Sequence, residues 1–199
     1  MRMATDKLIL YPSQADAPAI DTDELVQGLE SIGLIGAAFR CQGRTHHLVG
    51  ERFLQLVTFL GCSPLIELEP PADAAAREAA CAGGRFCHVH LVAHRNRIRF
   101  RAGTQAPPPR CPHCRQVESR WPDLLQGWET EPRNTQWICT ECGHRGRLYD
   151  LNFRRHGGFA RTFIEIWGIF PSEAVPVETL LAALRQLGGC TWSYMYIKD

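Results

Sequence analysis

Four cysteines in two close pairs are the residues of this chain with the clearest chemistry. Cys111 and Cys114 form one Cys-x-x-Cys pair, and Cys139 and Cys142 form the other. Two intervening residues allow a tight turn that aims both sulfurs of a pair at one ion. Four thiolates in a tetrahedron suit Zn²⁺, which is borderline soft and has no geometric preference from its d-electrons. The spacing therefore predicts one zinc ion per chain.

The segment around these pairs resembles the zinc-ribbon family, in which two cysteine knuckles lie on β-hairpins joined by a variable loop. Besides the cysteines, the resemblance rests on Gly143, which can take positive φ after the second pair, and on Trp137 just before it. It covers residues 105–150, and the rest of the chain resembles no family that we recognise. A four-thiolate site has no open position for water, so the resemblance implies a structural ion and not a catalytic one.

Three alternatives stay open at these cysteines: a redox dithiol, disulfides, and iron in place of zinc. A redox dithiol needs only one Cys-x-x-Cys pair, so the presence of two pairs favours a metal. The remaining cysteines are scattered and odd in number, at Cys41, Cys62, Cys81, Cys87 and Cys190. This distribution indicates a reducing, cytoplasmic environment and not a secreted disulfide scaffold.

Charge is distributed unevenly, although the formal net charge is only +1. Residues 94–161 contain thirteen Arg and six acidic residues, whereas the flanks contain nine basic and fifteen acidic residues. Four thiolates around a zinc ion contribute about −2 to the middle of the chain. The remaining positive excess predicts a partner that is nucleic acid or an acidic protein surface. Compositional drift is the alternative, because Arg far outnumbers Lys throughout the sequence.

Arginine stands at every second position of one segment, at Arg95, Arg97, Arg99 and Arg101. If the segment is a strand, its period of two puts all four guanidiniums on one face, over roughly 20 Å. Guanidinium groups bind phosphate oxygens two at a time, so the stripe predicts a nucleic-acid contact. Trp137 and the neighbouring Trp121 and Trp128 are candidates for stacking on bases. A solvated face paired with acidic flanks is the alternative.

A second candidate site involves histidine. His88 and His90 alternate along a predicted strand, and a His-x-His pair on one face can hold a metal. His46, His47 and Cys62 are imaginable further ligands, but nothing in the sequence brings them together. Cys62 stands where nucleophiles occur, at the end of a predicted strand, but no base is identifiable, and a packed apolar thiol is the alternative.

Two strand–helix–strand units are predicted outside the cysteine segment. The first has strands at Phe53–Leu60 and Phe86–Leu91 around a helix at Ala72–Cys81. The second has strands at Phe163–Trp167 and Trp192–Ile197 around a helix at Val177–Leu187. Their similar lengths suggest a duplication. Two such units predict an α+β, ferredoxin-like sandwich, with both helices on one side and the first strand of each unit side by side at the centre.

The remaining segments follow from this arrangement. Asp21 is placed to cap a helix that ends at Gly33, and Leu34–Phe39 is predicted to be a strand followed by a polar loop at Gln42–Gly50. Residues 1–94 and 160–199 are predicted to form one α+β domain. Residues 95–159 are predicted to be an inserted zinc-ribbon domain, because the connection between the two units needs only a few residues.

Three functions are compatible with these features. The first is a non-catalytic zinc protein whose basic ribbon contacts nucleic acid, either RNA or a nucleoprotein. The second is a protein–protein adaptor that uses the ribbon loop at residues 115–138. The third is an enzyme with a site near His88, His90 and Cys62, which the lack of a Gly-rich phosphate loop, zincin helix or nucleophile elbow disfavours. We expect neither a secretory leader nor a membrane span, since no apolar run approaches about eighteen residues.

Overall fold

The computed structural model describes residues 6–60 and 66–198. Its strands are β1 (Asp6–Pro12), β2 (Ile35–Cys41), β3 (Arg44–Val49), β4 (Val57–Phe59), β5 (His88–Ala93), β6 (Arg99–Ala102), β7 (Gln136–Ile138), β8 (Arg145–Arg147), β9 (Gly157–Ala160), β10 (Thr162–Trp167), β11 (Ala174–Pro176) and β12 (Trp192–Lys198). Its helices are α1 (Thr22–Ser31), α2 (Phe53–Leu56), α3 (Ala74–Ala82), α4 (Trp121–Thr130) and α5 (Glu178–Gly188), with a 3-10 turn at Leu148–Asp150.

A six-stranded antiparallel sheet in the order β12-β1-β10-β5-β3-β2 dominates the structure. The other strands pair two by two, β4 with β11, β6 with β9 and β7 with β8. Helices and antiparallel strands are thus combined in one chain, which confirms the α+β class. None of the described helices has the length and apolar character that crossing a bilayer requires.

One side of the large sheet, here called the first face, packs against α1 and α5. Leu25 and Leu29 of α1 and Leu180 and Leu184 of α5 are fully buried there against apolar residues of β1, β5 and β10. The start of α1 is as predicted, because the Asp21 side chain accepts a hydrogen bond from the Asp23 N–H at 3.0 Å.

The opposite side of the sheet, here called the second face, is partly covered by α3. Asp73 caps α3, with its Oδ2 2.7 Å from the Ala76 N–H, and Cys81 near the other end lies 3.3 Å from His88 Nε2. His88 and Val89 are consecutive in β5 and therefore face opposite ways, and Val89 belongs to the core on the first face. Helices α3 and α5 consequently lie on opposite sides of the sheet, and the predicted duplication with both helices on one side is wrong.

The apolar run Phe53–Leu60 is not the central strand that its composition suggested. Its first half is the short helix α2, in which Phe53 and Leu56 are buried and Leu54 is exposed, and β4 then pairs with β11 outside the large sheet. A short continuous apolar run does not distinguish a strand from a buried helical turn, because either conformation can bury it. The centre of the sheet is occupied by β10, between β1 and β5.

The predicted polar loop at Gln42–Gly50 is also different in the structure, where residues 44–49 form strand β3. Strands β2 and β3 are joined by Gln42 and Gly43, both with positive φ, at 49° and 74°. Positive φ at both central residues is the geometry of a type I′ hairpin, whose twist matches that of the strands. The polar sequence hid this strand, which lies between β2 and β5 and buries the polar side chains of His46 and His47.

A separate apolar cluster lies in the middle segment, residues 95–159. It is built mainly from aromatic side chains, and among its buried members are Trp121, Trp128, Trp137, Phe153 and Phe159. Residue Ala15, from the connection after β1, is the buried member that comes from outside the segment. The middle segment therefore has its own small core beside the large sheet.

Replacing Leu184 with Ala tests the core on the first face. Leu184 is 1% exposed, so we expect the free energy of unfolding to fall by about 2–5 kcal/mol, from lost apolar burial and the cavity left behind. Denaturant unfolding measures this difference. Leu54→Ala is the control, since Leu54 is 56% exposed and its truncation should change stability by about 0.5 kcal/mol or less. Equal losses in both variants would contradict the assigned core.

Candidate metal centre

The sulfurs of the two cysteine pairs converge on one point. Cys111 Sγ lies 3.9 Å from Cys142 Sγ, and Cys114 Sγ lies 3.7 Å from Cys139 Sγ. All four sulfurs lie within 4.8 Å of one another. In a tetrahedral site with metal–sulfur bonds of about 2.3 Å, the sulfurs are about 3.8 Å apart. The cluster therefore has the dimensions of a four-thiolate metal site.

The first knuckle is shaped by two backbone hydrogen bonds. The Arg115 N–H donates to the Cys111 carbonyl at 3.0 Å, and the Cys111 N–H donates to the Gln116 carbonyl at 2.9 Å. Arg115 takes a φ of 63°, which is uncommon for a residue with a side chain. This left-handed residue turns the chain back after Cys114.

The second knuckle repeats that geometry on the hairpin of β7 and β8. The Gly143 N–H donates to the Cys139 carbonyl at 3.0 Å, and the Cys139 N–H donates to the His144 carbonyl at 2.9 Å. Gly143 has a φ of 70°, as its position after the second pair predicted. Backbone N–H groups of Cys142 and Glu141 also donate to Cys139 Sγ and lower the pKa of this thiol to about 7. They favour the thiolate, which is the form that binds a metal.

Trp137 packs in one apolar cluster with Cys111 and Cys139 of the two knuckles and is 2% exposed. Its Nε1 donates to Glu118 Oε2 at 2.6 Å, and the same carboxylate accepts two hydrogen bonds of 2.9 Å from the Arg120 guanidinium. The Arg120 hydrogen bonds lower the pKa of Glu118 against the opposing effect of burial. Arg120 also donates to the Ile138 carbonyl at 2.9 Å, so this network joins the two knuckles.

The three tryptophans of the middle segment are core residues, and the prediction that they stack on bases is wrong. Trp137 is enclosed under the knuckles, while Trp121 and Trp128 are buried on α4. The Trp128 Nε1 donates to the Tyr149 hydroxyl at 3.0 Å, and the Trp121 ring meets the Phe100 ring edge-on at 5.2 Å. These rings are buried in the small core of the segment. They are therefore not exposed on the adaptor surface expected at residues 115–138 either.

The arginine stripe does not form one strand face. Strand β6 begins only at Arg99, and Arg95 lies in the turn before it, where it pairs with Asp21. Arg101 NH2 lies 3.3 Å from Glu165 Oε1. Two of the four guanidiniums are therefore bound to carboxylates of the flanks, whereas Arg97 is exposed at the surface.

The histidines outside the cysteine segment meet on the second face. Their ring centroids are 5.0 Å apart for His46 and His88 and 4.5 Å apart for His46 and His90, with the latter pair stacked. Burial lowers the pKa of His46 to about 3 and that of His88 to about 4, so both rings are neutral. His47 pairs with Val89 and faces the other way. Cys62 lies outside the described residues.

Two scattered cysteines are joined, in contrast to the expectation of isolated thiols. Cys41 and Cys81 form a disulfide between the end of β2 and α3, with Cα atoms 6.3 Å apart. Cys87 and Cys190 are free. The connection was not visible in the sequence, because 40 positions separate the two residues and the predicted sandwich placed their elements differently.

A polar cleft of about 470 Å³ lies where the middle segment meets the edge of the large sheet. Its wall includes three tyrosines and two arginines, Tyr11, Tyr149, Tyr194, Arg154 and Arg155. The Arg155 guanidinium lies 4.3 Å from the centre of the Tyr194 ring. The cleft draws on β1, β12 and two loops, so no local sequence motif marks it.

Cys142→Ser tests the metal centre. Loss of one thiolate leaves three ligands and an open coordination position, so we expect tightly held zinc to be lost and residues 105–150 to exchange backbone hydrogens faster. Protection in the large sheet should persist, since that sheet has its own core. Elemental analysis and hydrogen exchange measure both effects, with Cys190→Ser as the control. With the Cys41–Cys81 disulfide intact, a variant that keeps its zinc in the presence of a chelator would refute the centre.

Two glycine substitutions test the knuckle backbone. A Cβ at Gly143 or at Gly127 would meet nothing within 4 Å, so neither change creates a clash. Gly143→Ala should destabilise the middle segment by about 1 kcal/mol, because alanine is strained at positive φ. Gly127→Ala, in α4, should instead stabilise it by up to about 1 kcal/mol. Thermal unfolding of the zinc-loaded protein measures both, and shifts of the same sign would contradict the assigned backbone.

Comparison of the chain with protein-family models, with curated proteins and with solved structures finds no match in any of the three. The character of the metal centre is therefore inferred from the four sulfurs and their surroundings.

Proposed function

We propose that this chain is a non-catalytic zinc protein in which a basic, ribbon-like module binds single-stranded nucleic acid, most naturally RNA. In this proposal residues 95–159 are the inserted module, and residues 1–94 with 160–199 are the α+β domain that carries it. The convergence of four sulfurs within 4.8 Å supports a closed zinc site with a structural role.

The cleft beside the module is the observation that favours nucleic acid. Arg154 and Arg155 are exposed at its rim, and Tyr149 and Tyr194 are half-buried in its wall. Aromatic rings and guanidinium planes are the surfaces on which unpaired bases stack, and guanidiniums also bind phosphate. A concave site of this size accepts a splayed base more readily than the rounded surface of a duplex.

The positive charge of the middle of the chain also supports binding of a polyanion. The middle of the chain, residues 94–161, has seven more arginines than acidic residues. Arg97, at the exposed turn, and Arg99, in β6, remain proposed phosphate contacts, whereas Arg95 and Arg101 are paired with carboxylates. An excess of this kind attracts polyanions and makes their binding dependent on salt.

Paired arginine variants test this function. Each phosphate neutralised on a single strand contributes about −0.7 to the salt slope, so Arg154→Ala with Arg155→Ala should weaken binding of labelled RNA and reduce the slope by roughly 1 to 2. The matched control is Arg40→Ala with Arg44→Ala, which removes the same charge from the β2–β3 hairpin at the opposite edge of the sheet. Fluorescence anisotropy over a range of salt concentrations measures both.

Two results would refute the proposal. One is no salt-sensitive binding of RNA or DNA by the zinc-loaded protein at micromolar concentration. The other is an equal loss of binding in the two double variants, which would show a uniform charge effect without a site in the cleft.

A further inference from the structure

A second group of metal-binding side chains meets on the second face of the sheet. Cys41 ends β2, His46 lies in β3, Cys81 lies near the end of α3 and His88 begins β5. Ligand atoms of Cys41, His46 and Cys81 lie within 4.8 Å of one another. His88 is not in that group of three but adjoins it, since its Nε2 is 3.3 Å from Cys81 Sγ. All four residues are buried.

His88 is held in the orientation of a metal ligand. Its Nδ1 lies 3.0 Å from the Phe86 carbonyl oxygen, which can only accept a hydrogen bond. Nδ1 therefore carries the proton, and the lone pair of the ring is on Nε2, which points at Cys81. A ligating histidine typically donates its other ring N–H to a carbonyl or carboxylate in this way.

His46 carries an unsatisfied nitrogen at the same place. It is 3% exposed, and its Nδ1 has no hydrogen-bond partner among the described residues. A buried polar atom without a partner loses its hydrogen bond to water on folding and destabilises the protein. A disulfide with packed aromatic neighbours would not require a histidine at this position, whereas a metal ion would bind a nitrogen of this ring.

We propose that Cys41, Cys81, His46 and His88 form a second metal site, which binds Zn²⁺ when the two cysteines are reduced. Two thiolates and two neutral imidazoles are a common donor set for structural zinc. The site lies away from the zinc-ribbon-like centre and does not depend on the function proposed for the cleft.

The disulfide and the metal are alternative occupants of this site. A small thiol, R–SH, converts the disulfide into two Cys thiols by exchange, and two molecules of R–SH become one R–S–S–R. A zinc ion then replaces the protons of both thiols, and two protons are released. Oxidation by a small disulfide reverses the sequence and releases the ion.

Native mass spectrometry of the full chain tests the proposal. Wild-type protein with the disulfide intact and protein reduced by a phosphine are each given excess Zn²⁺. The reduced form should bind one ion more than the oxidised form. The readout is the difference in bound zinc between the two forms. This difference does not depend on whether the centre formed by Cys111, Cys114, Cys139 and Cys142 holds zinc. Equal stoichiometry in both forms would overturn the proposal.

A pair of neighbouring histidines provides the matched variants. His46→Ala should lose the additional ion or bind it far more weakly. A residue that only hydrogen-bonds to a metal ligand contributes roughly 10- to 100-fold to affinity, and the loss of a ligand should exceed this. His47→Ala should keep it, because His47 faces the other side of β3. Loss of the ion in both variants, or in neither, would refute the assignment of ligands.

Alkylation of the wild-type protein decides the question if His46→Ala does not fold. In reduced protein, Zn²⁺ should slow the alkylation of Cys41 and Cys81 relative to protein with a chelator. Cys87 is a buried free thiol and serves as the internal reference, whose rate should not change. Alkylation of Cys41 and Cys81 that is unaffected by Zn²⁺ would exclude the site.

Discussion

The structure depends on the need to cover both faces of one antiparallel sheet. Helices α1 and α5 cover the first face with a continuous apolar layer. The second face has no comparable layer in the described part of the chain. Apolar residues such as Ile9, Phe163 and Met195 form a patch toward β12, and α3 covers the end toward β2. The group formed by Cys41, Cys81, His46 and His88 lies on this incompletely covered face.

The polar part of the second face is stabilised by pairing instead of apolar packing. Glu165 is 4% exposed, and it contacts His90, Trp167 and Arg101 at 3.2–3.4 Å. Burial alone would raise the pKa of Glu165, but the His90 hydrogen bond and the charges of Arg101 and Lys7 outweigh it and lower this pKa. Because Arg101 belongs to β6, the same carboxylate attaches the entrance of the middle segment to the sheet. Arg101, which was predicted to contact nucleic acid, is therefore paired with Glu165 inside the structure.

The sequence predicted features that depend on neighbouring residues. The spacing of the four cysteines, the left-handed Gly143 and the caps at Asp21 and Asp73 were all visible, because each depends on a few adjacent positions. Arg115 was not recognised as the counterpart of Gly143, since its side chain gives no sign of positive φ. Each knuckle is closed by the same pattern of backbone hydrogen bonds, which composition does not reveal.

Features that depend on tertiary packing could not be predicted in this way. The apolar run after Gly50 is as compatible with a helical turn as with a strand, and only the surrounding sheet decides between them. The same holds for the burial of Trp137, which is decided by the Glu118 carboxylate 19 positions away. The position of α3 relative to α5 depends on which strands pair, and a pattern of two repeated units does not determine that pairing.

The pairing of β6 with β9 has a consequence for how the chain tolerates change. These strands lie at the start and the end of the middle segment. In their antiparallel pairing, Arg99 lies opposite Ala160 and Ala102 lies opposite Gly157. Adjacent strands lie about 4.8 Å apart, so the segment leaves the sheet and returns to it at nearly the same point. For the large sheet, the segment acts as a closed loop, and the entropy of closing a loop rises only with the logarithm of its length. Residues added or removed between these two strands would therefore alter the stability of the sheet very little, which makes this junction the natural place for variation in size.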